Sequence, residues 1–160
     1  MKKNQIGTIH HVKCYDENGV FLWDEKIHNL VPTLGLNNIL DEYLEGSTYT
    51  AAHYVGLKST GAPALADTMA SHAAWTELTI YSEGARQTLS WAAASGGAKV
   101  ASQVSFSING SGTVGGTMIS TSSTKGGTTG ILIVALNFSS SHTVASGYTL
   151  TDDITFTLAN

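Results

Sequence analysis

"ILIVALNF", residues 131–138, is the stretch on which the fold turns. Its apolar run is far shorter than the roughly 20 residues a membrane-spanning helix needs. It also lacks the polar residue every third or fourth position that an amphipathic surface helix would show. A short, branched apolar run bounded by "TKGGTTG" and "SSSH" reads instead as a central strand covered on both faces.

Its neighbours carry the other strand pattern. "QVSFSI" (103–108) alternates Val104, Phe106 and Ile108 with polar residues, as a half-buried strand does. "YTLTDDITFTLAN" (148–160) sets Tyr148, Leu150, Ile154, Phe156 and Leu158 on one face and threonines on the other. Asp152 falls on the apolar face, which points to a turn or bulge and to two short strands instead of one. "AAHYVGLKS" (51–59) adds a further short strand. The turn signals "NGSG", "TKGGTTG" and "VASG" separate strands of this kind in an antiparallel β-sandwich or jelly roll.

The first third differs. "TIHHVKCYDENGVFLWDEKIHN" reads as a β-hairpin over residues 6–29, with Asn18-Gly19 as a type I′ turn. Helical spacing then appears in "LVPTLGLNNILDEYLEG", where Leu36, Ile39, Leu40, Tyr43 and Leu44 form one apolar stripe. A helix over 33–45 is expected, capped by Thr33, closed by Gly46 and laid against the sheet. The expected architecture is thus one mainly β domain over residues 1–160. It comprises an N-terminal hairpin, one short flanking helix and a sandwich over 51–160.

Composition narrows the function. The formal net charge of −4 supplies no clustered basic face for nucleic acid. The N-terminal "MKKNQIGTIHHVK" has no apolar core of a secretory signal, and no segment predicts a membrane span. Cys14 is the only cysteine, so neither an intrachain disulfide nor a cysteine-built zinc site is expected. From Trp91 onward only Lys99, Lys125, Asp152 and Asp153 are charged, against 23 serines and threonines. A surface of hydroxyls in place of charges suits a viral or fibrous β protein better than a cytosolic enzyme.

The motifs that suggest chemistry fail in context. "GSGTVG" (110–115) spells G-x-G-x-x-G, but the Ser/Thr/Gly-rich run after it will not open a helix, and no acidic residue follows before Asp152. A hairpin turn is the better reading. "TKGGTTG" has its lysine ahead of the glycines and is no phosphate loop. His10 and His11 are strand neighbours pointing to opposite faces, and the other four histidines are isolated, so no metal site is expected.

"ADTMASHAAWTE" (66–77) gathers Asp67, Ser71, His72 and Glu77 where few other charges lie. Ser71 and His72 are adjacent and therefore diverge, with no nucleophile elbow around the serine. A carboxylate pair of Asp67 and Glu77 is a sharper alternative. The structural reading accounts for more. Asp67 caps a turn by accepting from Met69 or Ala70, Trp75 anchors a folded Ω-type loop on the sheet, and Glu77 or Glu83 pairs with Arg86, the lone arginine.

"YVGLKS", "ADTMASHAAWTE", "YSEGARQTL" and "STKGGTTGILIVALNFSSSHTVASGYTLT", with "LGLNNILDEYL", resemble a family of small structural proteins of tailed bacteriophages. The likeness spans roughly residues 33–158. The resemblance implies a virion component, a head decoration (cement) protein or a tail-associated one, without catalytic activity or cofactor. A decoration protein would sit on the capsid surface, bind the major capsid protein and act as a homotrimer or homodimer, with neither nucleic acid nor membrane as partner. The N-terminal hairpin lies outside the matched stretch, and its expected role is docking to a partner. Two other readings stand beside it. A tail or fibre module would bind host glycans through clustered Trp23, Trp91 and Tyr148, and a small hydrolase would use Asp67, His72 or Glu77.

Overall fold

The computed structural model describes residues 5–28, 31–44 and 52–159. In chain order the elements are β1 (Gln5–Tyr15), β2 (Phe21–His28), α1 (Thr33–Leu44), β3 (His53–Lys58), β4 (Glu77–Leu78), β5 (Gln87–Leu89), β6 (Ala98–Val100), β7 (Val104–Ser107), β8 (Gly112–Ser120), β9 (Leu132–Val144) and β10 (Thr149–Ala159). They form two five-stranded antiparallel sheets. In the first the order is β2-β1-β10-β6, and β7 also pairs with β10; in the second it is β4-β3-β8-β9, and β5 also pairs with β3. The result is the mainly β, sandwich-like arrangement expected from the alternating strands.

The core lies between the sheets. Val12, Cys14, Phe106, Leu150 and Ile154 of the first sheet meet Val55, Leu57, Ile119, Val134, Leu136 and Phe138 of the second. Such close-packed apolar burial is the main favourable term holding the layers together.

Five expectations change. The N-terminal hairpin forms, but no non-glycine residue among those described has positive φ, so Asn18 does not make a type I′ turn. Asp16 sets a different one. Its carbonyl accepts from Gly19 N at 3.1 Å, while its Oδ1 accepts from Asn18 N at 2.9 Å and Val20 N at 2.8 Å. Gly19, at φ 77°, supplies the one left-handed residue of a bulged turn.

Second, β10 is continuous. Its register with β1 runs from Tyr15↔Thr149 to Gln5↔Ala159 without a shift, and Asp152 points into the core at 0% exposure. A buried polar partner on the neighbouring strand, His10 of β1, not a bulge, explains the broken alternation. Third, β9 is buried on both faces from Leu132 to Leu136 but lies at the edge of its sheet. Apolarity reports which faces are covered and is silent on hydrogen-bonded edges. Here α1 packs against β9, with Gly35 so near that an added Cβ would lie 2.6 Å from the Ile133 carbonyl oxygen. This cladding shields the strand.

Fourth, the helix uses only part of its stripe. Leu36 and Ile39 are half-buried while Leu40 is 49% exposed. Helical bonding starts with Leu36 N to the Pro32 carbonyl, one residue ahead of the Thr33 cap. Gly46 and the side chains of Tyr43, Leu44 and Leu158 lie outside the described part. "GSGTVG" also proves not to be a hairpin turn. It carries the chain from β7 in one sheet into β8 in the other.

Candidate functional site

After β3 the chain crosses the outer face of the second sheet and returns at β4. The neck of this loop is closed by Ser59 N to Thr76 O (2.8 Å) and Thr76 N to Ser59 Oγ (2.9 Å). Inside it, Thr68 caps the turn: Thr68 N donates to Ser71 O (2.9 Å) and Ser71 N to Thr68 Oγ1 (3.0 Å). Asp67 does something other than cap Met69 or Ala70. Its Oδ2 accepts from Ala64 N (2.9 Å) and from the Trp75 indole Nε1 (2.8 Å). Trp75, 2% exposed, packs with Met69 on Met118, Leu132 and Ala135. The loop therefore carries its own small core, and the buried indole N–H has the partner it needs.

His72 stacks on the Trp75 ring at 4.0 Å and donates through Nδ1 to the Trp75 carbonyl (2.8 Å). Ser71 is exposed, and among the described residues no hydrogen bond joins it to His72, or His72 to Asp67. These side chains face Trp75 and the backbone, not one another. The relay of a nucleophile, base and orienting acid is not assembled.

Glu77 and Arg86 form a second unit. Arg86 Nε and Nη2 donate to Glu77 Oε1 (2.9 Å) and Oε2 (2.8 Å), Nη1 to Ser120 Oγ (3.0 Å) and Ser122 O (2.8 Å), and Nη2 also to Gly127 O (2.8 Å). All five guanidinium donors are used, as burial of a charge requires. The contacts tie "TKGGTTG" to β4 and β5. Glu83 instead accepts from Ser107 N (3.0 Å).

Three polar groups escaped the sequence reading. Lys58 is fully buried, its Nζ bonded to Ser59 O (3.0 Å), Gly61 O (2.9 Å) and Asn137 Oδ1 (2.5 Å) and lying 5.5 Å from the Trp75 ring centroid. Burial brings its ammonium down to about 8, a fall only partly offset by the charge of Asp67. Between the sheets, His10 meets Asp152, Thr8 and Thr117. At the seam of β2 and β9, Glu25 accepts from Ser139 Oγ (2.8 Å) and His142 Nε2 (2.9 Å), while His142 stacks on Trp23 at 3.9 Å. The serine hydroxyl there donates to the glutamate, so this is no triad either.

Trp23, Trp91 and Tyr148 are each half-buried. Trp23 lies on β2 and Trp91 bridges Ala101 beside β6, at opposite edges of the first sheet, so they do not share one stacking platform. Trp91 lines a cavity of about 170 Å³ with Ile39, His53, Lys99, Ile119 and Phe156. Burial pushes the Cys14 thiol up to about 11, which leaves it an inert core residue. Among the described residues no group of three metal-ligating side chains converges, and no helix is long and apolar enough to cross a membrane. No protein-family model, curated protein or solved structure matches the chain.

Proposed function

We propose that this protein is a bacteriophage virion component that decorates the capsid, bridging and stabilising major capsid protein subunits as a homotrimer or homodimer. One observation carries the reading. Val20, Phe21 and Leu22, consecutive at the tip of the N-terminal hairpin, are 57%, 53% and 41% exposed. Three adjacent exposed apolar residues where the turn runs into β2 are costly to leave in water and suit insertion into a partner. The body behind them is stiffened by the Arg86–Glu77 and Trp75–Asp67 units, as a clamp on a shell requires. Weak docking repeated over many copies gains hold through multivalency. The family resemblance supports the same reading.

The test is quantitative mass spectrometry of purified virions, giving the copy number relative to the shell protein. Copies in a simple ratio to the shell protein are expected. A small fixed number per particle would place the protein in the tail or fibre instead, and its absence from particles would end the virion reading.

A further inference from the structure

Lys58, Gly116 and Asn137 lie side by side across β3, β8 and β9, since Lys58 pairs with Gly116 and Gly116 with Asn137. All three share the outer face of the sheet, beneath the loop that carries Trp75. No side chain can stand between lysine and asparagine, because a Cβ on Gly116 would meet the Leu136 carbonyl oxygen at 1.9 Å. Across that gap Lys58 Nζ donates to Asn137 Oδ1 at 2.5 Å, shorter than an ordinary hydrogen bond, which sets the amine beside the carboxamide.

We propose that Lys58 and Asn137 join through an intramolecular amide, Nζ to Cγ, which staples β3 to β9 across β8. The inference is independent of the capsid reading. A neutral amine has two N–H donors and one lone pair. Here the two backbone carbonyls of Ser59 and Gly61 take the two N–H groups. The third N–H of the ammonium donates to Asn137 Oδ1, so the lone pair freed when that proton is lost lies on the carboxamide side. Burial makes the neutral amine accessible near neutral pH. The Trp75 ring covers the amine and keeps bulk water from the reacting atoms.

The step balances without any co-reactant. Nζ adds to Cγ, a proton passes from Nζ to Nδ2, the Cγ–Nδ2 bond breaks and ammonia leaves. Asp67, buried beside Trp75 and near enough for its charge to act on Lys58, is the carboxylate placed to carry the proton.

The test is the intact mass of the full-length wild-type protein, measured denatured, followed by tryptic peptide mapping. The expected results are a mass short by one ammonia, no cleavage after Lys58 and a branched peptide joining Lys58 to Asn137. Asn137→Ala and Lys58→Met should each abolish the ammonia loss. Full mass with Lys58 open to acetylation in the unfolded chain would overturn the proposal, and so would an ammonia loss mapped to ring closure within Asn137. The decisive mass is that of the wild-type protein, so a variant that fails to fold does not obscure the outcome.

Discussion

His10 Nδ1 lies 2.7 Å from Asp152 Oδ2, and neither side chain is exposed to solvent at all. Thr117 Oγ1 approaches the same nitrogen at 3.2 Å and Thr8 Oγ1 stands 3.0 Å from Nε2, so β1, β10 and β8 meet at one buried polar node. Among the described residues, Asp152 Oδ1 has no partner. The node links the two sheets within an otherwise apolar core. Removing His10 leaves Asp152 buried without this partner, and removing Asp152 leaves His10 only the two threonine hydroxyls, so His10→Ala and Asp152→Ala should each cost about 3–5 kcal/mol. Their double variant should cost clearly less than the sum. Urea denaturation of the four-member cycle checks this, and additive costs would contradict the coupling.

Glu25 makes stability pH-dependent. Burial pushes its carboxyl up, but hydrogen bonds from His142 and Ser139 more than reverse this and hold it below its ordinary value. The folded protein then binds that proton less readily than the unfolded chain. The stabilisation is complete above the unfolded carboxylate range and is lost as pH falls through the lower folded value. Glu25→Gln should cost about 1–3 kcal/mol near neutrality, with the gap from wild type closing in acid. Parallel profiles of melting temperature against pH would refute the assignment.

Glu77→Ala strands a fully engaged, buried guanidinium and should cost about 3–5 kcal/mol. Arg86→Lys keeps the charge but loses the fork, so it should also destabilise, and hydrogen exchange should quicken first in residues 122–130. Unchanged exchange there would separate the ion pair from that loop.

Trp75→Ala removes the anchor of the loop over the second sheet, an expected loss of about 3–5 kcal/mol. Limited proteolysis should then cut within residues 60–74 while the inner core stays protected. Equal resistance in both proteins would show that Asp67 and the loop neck suffice.

Much of this was legible in local pattern. The alternation of Val104, Phe106 and Ile108 marks β7 directly, and a single arginine near two glutamates leaves few pairings to consider. What stayed hidden depends on partners distant in sequence. Asp152 looks like a break in β10 because its partner, His10, lies on the strand that pairs with it from the far end of the chain. Lys58 reads as an ordinary strand-end lysine until β8 brings Asn137 beside it across a glycine. The unbroken apolarity of Leu132 to Leu136 reports two covered faces correctly, yet carries no information on which edge is free. Leu40 obeys helical spacing and remains exposed, since periodicity defines a stripe but not how much of it a neighbour covers.

The most direct test of the docking account is rebinding to particles assembled without this protein. Wild-type protein should saturate them in a simple ratio to the shell protein, while Phe21→Asp, compared at a temperature where both proteins are folded, should bind at least tenfold more weakly. Equal occupancy by the two proteins, or no binding by wild type, would contradict it.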